Sequence, residues 1–331
     1  KATPEIAQQG AAYLRICGGL SFGIFLEVMF ERLLQSTGRT FYTMITQGVG
    51  AVINIIMDPV LIFGVGPFPQ MGVAGAAAAT VLGQIVAAIL AVIFNITRNH
   101  DIQPTLKGFR PNGHIIRQIY SVGIPTIVLN SISSVMTFGM NLILISFSST
   151  AVAVFNVYFK LQSFVFMPVF GLNNGMVPIV AYNFGAARMD RVKRTVKLAV
   201  CTAVAIMAVG LAIFQLAPEV LLSFFDASAE MDSIGSVALR IISISFLFAG
   251  FCIIAGSVCQ AIGNPFYSLI VSVARQLVVL LPVAWLLSHT GNLTLVWLAF
   301  PISELVSLLL SAIFLRRTMR AVTARIGGQQ A

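Results

Sequence analysis

The chain has 331 residues, and it is too apolar and too poor in charge to be a soluble protein. Hydrophobic residues make up 58% of it, charged residues only 9%, and the mean hydropathy is +0.93, whereas a soluble domain is about one quarter charged. The net charge of +9 does not indicate nucleic-acid binding, because the basic residues cluster in alternate loops between apolar segments, as membrane topology requires. The composition predicts an all-α, polytopic protein whose main partner is the lipid bilayer.

Nine apolar segments of membrane-spanning length follow one another along the chain. In order, they cover residues 12–34, 40–63, 75–97, 115–147, 151–182, 194–216, 235–261, 266–288 and 294–315. The loops on one side are basic and carry Arg39; Arg98, Lys107, Arg110 and Arg117; Arg188, Arg191, Lys193 and Arg194; and Arg316, Arg317, Arg320 and Arg325. The loops on the other side contain no Lys or Arg. By the positive-inside rule the basic side is cytoplasmic.

The first span carries two acids, Glu27 and Glu31, which are four residues apart and so lie on one helix face. Two like charges on one face of an apolar helix are costly, so we expect one carboxyl group to be protonated or the two to share a cation. The alternative is that Glu31, close to the inner end of the span, lies in water.

The second span contains Asn54 and Asp58, also four residues apart, and we expect its helix to break at Pro59. Thr80 on the third span could add a hydroxyl group to the same site. Oxygen ligands suit Na⁺, and a desolvated carboxylate equally suits H⁺. These residues, with Glu27 and Glu31, form the predicted cation-coupling site. The alternative is that Asp58 only satisfies backbone groups freed by the kink.

The fifth span contains the polar run Gly171-Leu-Asn-Asn-Gly175, followed by Pro178. This run predicts a flexible break in the helix, with Asn173 and Asn174 as candidate cavity residues. Broken membrane helices are tolerated where they line a cavity or move. Local repacking against a neighbouring helix is the alternative.

Three charged residues lie within the later spans, namely Lys160, Arg275 and Glu304. Arg275 lies about ten residues and Glu304 about twelve from the cytoplasmic ends of their spans, so we expect an ion pair between them. The pair either belongs to a substrate cavity or only locks two helices together. Lys160 has no acidic partner on its own helix and is a candidate for a fixed positive charge in the cavity.

The chain also contains an internal repeat. A shift of 225 residues aligns Leu14-Arg15-Ile16 with Leu239-Arg240-Ile241, and it aligns five residues of a second block with five later ones: Gln35, Gly38, Phe41, Tyr42 and Ile45 with Gln260, Gly263, Phe266, Tyr267 and Ile270. Spans one to three therefore pair with spans seven to nine, whereas spans four to six have no partners. We expect a twelve-span protein of two six-helix lobes, of which three N-terminal spans are absent here.

The repeat predicts four parts of the chain. They are a partial N-lobe (1–97), a cytoplasmic linker (98–114), a C-lobe (115–318) and a cytoplasmic tail (319–331). Two six-helix lobes of the same orientation are a transporter architecture with its substrate site near the membrane midplane. No catalytic constellation and no phosphate-binding glycine loop is visible. We therefore expect an ion-coupled transporter with no cofactor rather than an enzyme or an ATP-driven pump.

Three separated blocks resemble the MATE (multidrug and toxic compound extrusion) transporters. The run LLQSTGRTFYTMITQGVGAVINIIMDPVLIFG, followed by MGVAGAAAATVLGQ, resembles part of the first half of that family. FVFMPVFGLNNGMVPIVAYNFGAARMDRVKR resembles its eighth span and the following loop, and QAIGNPFYSLIVSVARQLVVLLP resembles its eleventh span. The resemblance covers essentially the whole chain and implies the fourth to twelfth helices of a bacterial member in the cytoplasmic membrane.

The resemblance also implies an activity, the export of cationic and aromatic drugs in exchange for Na⁺ or H⁺. Asn54, Asp58 and Thr80 match an N-lobe cation site of that family. That site also uses an Asp on the first of the family's twelve spans, and this span is not in the chain. Some members carry acids in the seventh and tenth spans, and the corresponding ranges 115–147 and 235–261 contain none. This departure argues against a C-lobe Na⁺ site of that type.

The leading hypothesis is a cation-coupled, monomeric exporter of organic cations or drugs that works by alternating access. One alternative is a lipid-linked saccharide flippase of a related two-lobe family, which would need a strongly basic cavity. Another is an inactive or purely structural membrane fragment, against which the buried acids argue.

Overall fold

A computed structural model of the chain describes residues 4–102, 111–225 and 227–330, and these residues form helices and short connections without a strand. The elements are α1 (Pro4–Gly19), α2 (Phe22–Ser36), α3 (Thr40–Phe63), α4 (Val73–Arg98), α5 (Gly113–Ile145), α6 (Ser149–Gly185), α7 (Met189–Leu216), α8 (Pro218–Ser223), α9 (Ala229–Ser243), α10 (Phe246–Ala261), α11 (Pro265–Val273), a π-helical segment (Ala274–Leu280), α12 (Leu281–Ser288), α13 (Leu293–Trp297) and α14 (Ala299–Gln330). Lys107 and Arg110 of the predicted linker lie outside the described residues.

The nine predicted spans are confirmed, although two of them are bent. Seven helices of the described residues are long and apolar enough to cross a membrane, and counting each of two bent pairs as one span gives nine. The pairs are α1–α2, bent by 46°, and α9–α10, bent by 48°. Gly18 and Gly19 end the helix before the first bend, and Ser243 and Ser245 flank the second. Glycine and serine are typical of kinks without proline. The bend recurs at matching places in the two copies of the repeat.

Two predicted helix breaks are wrong. Helix α3 continues through Pro59 to Phe63 and ends at Gly64, whose φ of 73° is the left-handed conformation that closes many helices. Helix α6 runs without interruption from Ser149 to Gly185, across the glycine-asparagine run and both of its prolines. A proline removes a single backbone donor, whereas a full break would expose several polar groups to hydrocarbon, so the helix is retained.

The structure divides into two compact units, Lys1–Arg110 (unit 1) and Pro111–Ala331 (unit 2). Unit 1 contains α1 to α4, and unit 2 contains α5 to α14. The boundaries proposed from the sequence at 97, 114 and 318 stay predictions. Helix α14 continues through residues 319–330, which the sequence assigned to a tail.

In unit 1, glycines bring α3 and α4 into close contact. A Cβ placed on Gly83 would lie 2.7 Å from the carbonyl oxygen of Gly50, and one placed on Gly50 would lie 3.1 Å from that of Gly83. A Cβ on Gly75 would likewise collide with the carbonyl group of Leu61. Small residues at helix contacts let backbones approach closely in membranes, so this pair of helices provides a rigid base for the side chains it carries.

In unit 2, a group of aromatic side chains fills the centre of the core. Phe155 lies 5.9 Å from Phe300 and 6.4 Å from Trp297, measured between ring centroids, and the Phe214 and Phe246 rings are 5.1 Å apart. These residues come from α6, α7, α10 and the α13–α14 region. Aromatic pairs at such distances contribute to stability beyond their buried area, so they hold α6, α7, α10 and α14 against one another.

Candidate functional site

In unit 1, the structure brings Asn54, Asp58 and Thr80 together. Asn54 Nδ2 lies 3.5 Å from Asp58 Oδ1 and 3.4 Å from Thr80 Oγ1. All three side chains are half-buried. The distances are at the long limit of hydrogen bonding, so the groups are neighbours that are not tightly bound to one another. The site presents a carboxylate, an amide and a hydroxyl group within a membrane-spanning helix pair.

The unbroken helix α3 and its contact with α4 position this site. Because α3 continues through Pro59, Asn54 and Asp58 stay one turn apart on a single face. The close approach at Gly83 places α4 against that face, since a Cβ on Gly83 would lie 3.5 Å from the Cβ of Asn54. The Thr80 hydroxyl donates to the Ala76 carbonyl oxygen at 3.0 Å, which orients its oxygen lone pairs toward Asn54.

Glu31 belongs to a second group in unit 1. Its residue exposure is 4%, and its carboxylate accepts hydrogen bonds from Thr46 Oγ1 at 2.7 Å and from Gln47 Nε2 at 2.9 Å. Thr46 lies eight residues before Asn54, which is about 12 Å along the helix. Glu27 is half-buried and one turn from Glu31. The structure therefore places the five predicted coupling residues in two groups rather than one.

Unit 2 contains a cavity of about 440 Å³ lined by α5, α6, α10, α11, the π-helical segment and α14. This volume is within the range of small-molecule sites, which is about 300–1,000 Å³. Many lining residues carry uncharged polar groups: Asn130, Ser133, Gln162, Ser163, Asn173, Ser245, Ser257, Gln260, Ser268, Ser272, Gln276, Ser303 and Ser307. The cavity lining is therefore mostly apolar but carries many hydrogen-bonding groups, as small-molecule sites do.

Arg275 and Glu304 form an ion pair in the wall of this cavity. Arg275 Nη1 lies 3.2 Å from Glu304 Oε2, and the exposed fractions of the two side chains are 30% and 7%. The second oxygen of the carboxylate, Glu304 Oε1, is buried and has no hydrogen-bond partner among the described residues. The pair is therefore electrically compensated, but its hydrogen-bonding capacity is only partly used.

The other residues that the sequence predicted for a substrate cavity, Asn173, Asn174 and Lys160, have different surroundings from one another. Asn173 lines the cavity, and its Oδ1 is buried without a partner among the described residues, whereas Asn174 is exposed. Lys160 lies elsewhere, with its Nζ 5.9 Å from the ring centroid of Phe225. Sequence reasoning singled out neither Gln276 nor the hydrogen bonds that Thr46 and Gln47 donate to Glu31. Amides and hydroxyls inside apolar spans were the available signal for these residues.

Comparisons with known proteins identify related chains. The family model MatE matches residues 1–60 and 125–286. The multidrug export protein MepA of Staphylococcus saprophyticus subsp. saprophyticus is 28% identical over 288 residues, which cover 87% of this chain and 62% of that protein. MepA of Staphylococcus haemolyticus is 27% identical over 319 residues, covering 96% of this chain and 69% of that protein. The chain thus spans less than two thirds of the length of the first of these relatives.

Solved structures share the fold. A crystal structure of MATE in complex with MaL6 superimposes with a TM-score of 0.88 at 23% identity and covers 98% of this chain and 73% of that one. A MOP superfamily transporter from Pyrococcus furiosus, described as having a reversed polarity of its binding pocket, gives a TM-score of 0.89 at 24% identity and covers 97% of this chain and 72% of that one. At this level of identity, the likeness establishes the fold.

Proposed function

The chain belongs to the MatE family, and we propose on that premise that it exports cationic or aromatic organic compounds in exchange for Na⁺ or H⁺. It is a multi-pass protein of a bacterial cytoplasmic membrane. The relatives from two Staphylococcus species are described as multidrug export proteins, which supports export as the activity. The nine spans and the acids within them support an ion gradient as its energy source.

The arrangement around Asp58 carries the proposal. Its carboxylate lies beside the Asn54 amide and, through it, the Thr80 hydroxyl, and none of these groups brings a positive charge. Among the described residues of unit 1, Arg39 forms an ion pair with Asp101. This pair lies in the loops and does not involve Asp58. A carboxylate with neutral neighbours is a suitable ligand for Na⁺ or acceptor for H⁺. We assign Asp58 as the coupling residue.

Glu31 and Glu27 have different parts in this proposal. The hydrogen bonds of Glu31 to Thr46 and Gln47 hold α2 against α3, so we assign Glu31 to positioning. Glu27, half-buried and one turn away, is the second acid that a cation could approach. Asp58 remains the residue whose loss would remove coupling.

Coupling requires that cation and substrate bind two conformations of the transporter with different affinities. A ligand shifts a conformational equilibrium only by as much as its affinity differs between the two states. In transporters of this architecture the change exposes the site alternately to the two sides of the membrane. We propose that cation binding at Asp58 favours the conformation that releases the substrate outside.

The experiment is efflux of a fluorescent organic cation from proteoliposomes containing the full-length protein, under imposed Na⁺ or H⁺ gradients. We expect wild type to respond to one gradient and Asp58→Asn to respond to neither. Asp101→Asn is the matched control, because it removes an exposed loop carboxylate of the same unit. Efflux by Asp58→Asn at the wild-type rate would contradict the assignment, and a wild type without gradient-dependent efflux would contradict the proposed activity.

The flippase alternative is disfavoured by charge. A cavity that holds a pyrophosphate group needs several free basic residues. The unit 2 cavity has one basic residue in its described lining, Arg275, and Glu304 already neutralises it.

A further inference from the structure

The cavity of unit 2 has no part in the coupling proposed above, yet its wall contains an ion pair with unused hydrogen-bonding capacity. We propose that this cavity binds a zwitterionic compound of the α-amino-acid class, with its carboxylate on Arg275 and its ammonium group on Glu304. The proposal concerns binding in unit 2 and goes beyond the exchange of organic cations for Na⁺ or H⁺.

Glu304 supplies the first observation. The residue is 5% exposed, it lines the cavity, and only Oε2 of its carboxylate accepts a hydrogen bond from Arg275. Oε1 is buried with no partner among the described residues. An unpaired carboxylate oxygen inside a membrane protein is costly, and a ligand that donates hydrogen bonds to it removes that cost. An ammonium group is a strong hydrogen-bond donor, and its positive charge is opposite to that of the carboxylate.

Arg275 supplies the complementary half. Its guanidinium group has five N–H donors, and one of them donates a hydrogen bond to Glu304. Its side chain is 30% exposed and lines the cavity, so donors remain available to a ligand. The planar guanidinium group is well suited to bind a carboxylate through two parallel hydrogen bonds.

The separation of the two charges narrows the class of ligand. The charged groups of the wall are adjacent, with 3.2 Å between Arg275 Nη1 and Glu304 Oε2. In an α-amino acid, the carboxylate and the ammonium group are bonded to the same carbon atom and are therefore also adjacent. The charge pair of the ligand can therefore lie antiparallel to the charge pair of the wall, with the carboxylate facing Arg275 and the ammonium group facing Glu304. A lone cation or anion would satisfy only one of the two protein groups and would be repelled by the other.

The rest of the cavity suits the remainder of such a ligand. The wall has no net charge, because Arg275 and Glu304 are the charged residues of the described lining. Phe159, Phe166 and Phe170 provide aromatic surface, against which an apolar or aromatic side chain can pack.

The π-helical segment Ala274–Leu280 places two of the polar groups. Arg275 and Gln276 are consecutive residues of this segment, and both line the cavity. In a regular α-helix, neighbouring residues point about 100° apart, and the wider π-helix changes the direction of its side chains. π-helical turns occur frequently at functional sites, which is in keeping with a binding site here.

Three probes that share one aromatic side chain and differ in charge test the proposal: phenylalanine, its amide and its N-acetyl derivative. The first is a zwitterion, the second a cation and the third an anion. Their binding is measured by isothermal titration calorimetry on the full-length protein in detergent. We expect the zwitterion to bind roughly ten- to hundredfold more tightly than either derivative, since each derivative loses one charge-assisted contact.

The variants separate binding from folding. Arg275→Gln should remove the preference for phenylalanine over its amide, and Glu304→Gln the preference over its N-acetyl derivative. The double variant R275Q/E304Q leaves no uncompensated charge, so it should recover most of the melting temperature that Arg275→Gln loses, and it should lose the preference altogether. Lys197→Gln, which removes an exposed positive charge of unit 2, is the control and should behave as wild type.

Three results would overturn the proposal. Equal affinity of wild type for all three probes would remove the charge argument, and so would a preference that survives in R275Q/E304Q. Absence of binding of phenylalanine to wild type would exclude the proposed class. In that last case the ion pair would only join two helices.

Discussion

The two units place acidic side chains inside the membrane in opposite ways. In unit 1, the hydrogen-bond partners of Asp58 and Glu31 are uncharged: an amide group beside Asp58, and a hydroxyl and an amide group beside Glu31. In unit 2, Glu304 has an arginine at 3.2 Å. A carboxylate beside neutral groups is open to an external cation, whereas one beside arginine already has its counter-ion. We infer that exchange of a coupling cation belongs to unit 1.

The largest effect is expected from breaking the pair in unit 2. Arg275→Gln leaves the buried Glu304 carboxylate without its counter-ion, which should cost about 3–5 kcal/mol of stability. Thermal unfolding in detergent measures this loss. R275Q/E304Q should recover most of it, because it buries no unpaired charge. A double variant as unstable as the single one would show that the helices need the ion pair itself.

The next effect concerns the neutral partners of Glu31 in unit 1. Glu31→Gln replaces a carboxylate that accepts two hydrogen bonds by an amide with one oxygen, which should cost about 1.5–3 kcal/mol. Glu27→Gln, one turn away on the same helix and half-buried, should cost less in the same unfolding experiment. Equal losses in the two variants would contradict the positioning role of Glu31.

A third change acts on the geometry of unit 1 without touching a charge. In Gly83→Ala the new Cβ would lie 2.7 Å from the Gly50 carbonyl oxygen, and such overpacking costs about 1–3 kcal/mol. The helices must separate, so Thr80 should move away from Asn54 and gradient-driven efflux should fall. Gly48→Ala is the control on α3, since its Cβ meets no atom within 4 Å. Efflux that is unaffected by Gly83→Ala would show that coupling does not depend on this helix contact.

The smallest effect is expected at Thr80. Thr80→Val removes a hydroxyl that lies 3.4 Å from Asn54, and one hydrogen bond of about 1 kcal/mol corresponds to an affinity change of about fivefold. The cation concentration for half-maximal efflux should rise by that factor. Thr97→Val removes an equivalent hydroxyl from the same helix, one that bonds only to the Ile93 carbonyl in its own helix. It should leave that concentration unchanged.

The fold was largely predictable because membrane-spanning length and loop charge are strong signals. Nine spans followed from apolar length, yet the bends within two of them carry no proline and were missed. The breaks expected at Pro59 and after Gly171 are absent. Proline and glycine preferences come largely from proteins in water, and in hydrocarbon the cost of unpaired backbone groups outweighs them.

The candidate sites were predictable where spacing along one helix determines proximity. Asn54 and Asp58 share a face by their separation, and similar depth was sufficient to pair Arg275 with Glu304. The position of Lys160 beside Phe225 depends on the rotation of α6 about its own axis. Tertiary packing determines that rotation, and spacing along the sequence does not contain it.

The central claim is that the ion-responsive carboxylate is Asp58 of unit 1 and not Glu304 of unit 2. Infrared difference spectroscopy of the membrane-reconstituted protein tests it most directly, because carboxylate and carboxylic acid vibrations change when Na⁺ binds or the pH is altered. We predict one carboxyl signal that disappears in Asp58→Asn and persists in R275Q/E304Q. A signal that persists in Asp58→Asn and disappears in R275Q/E304Q would contradict the account.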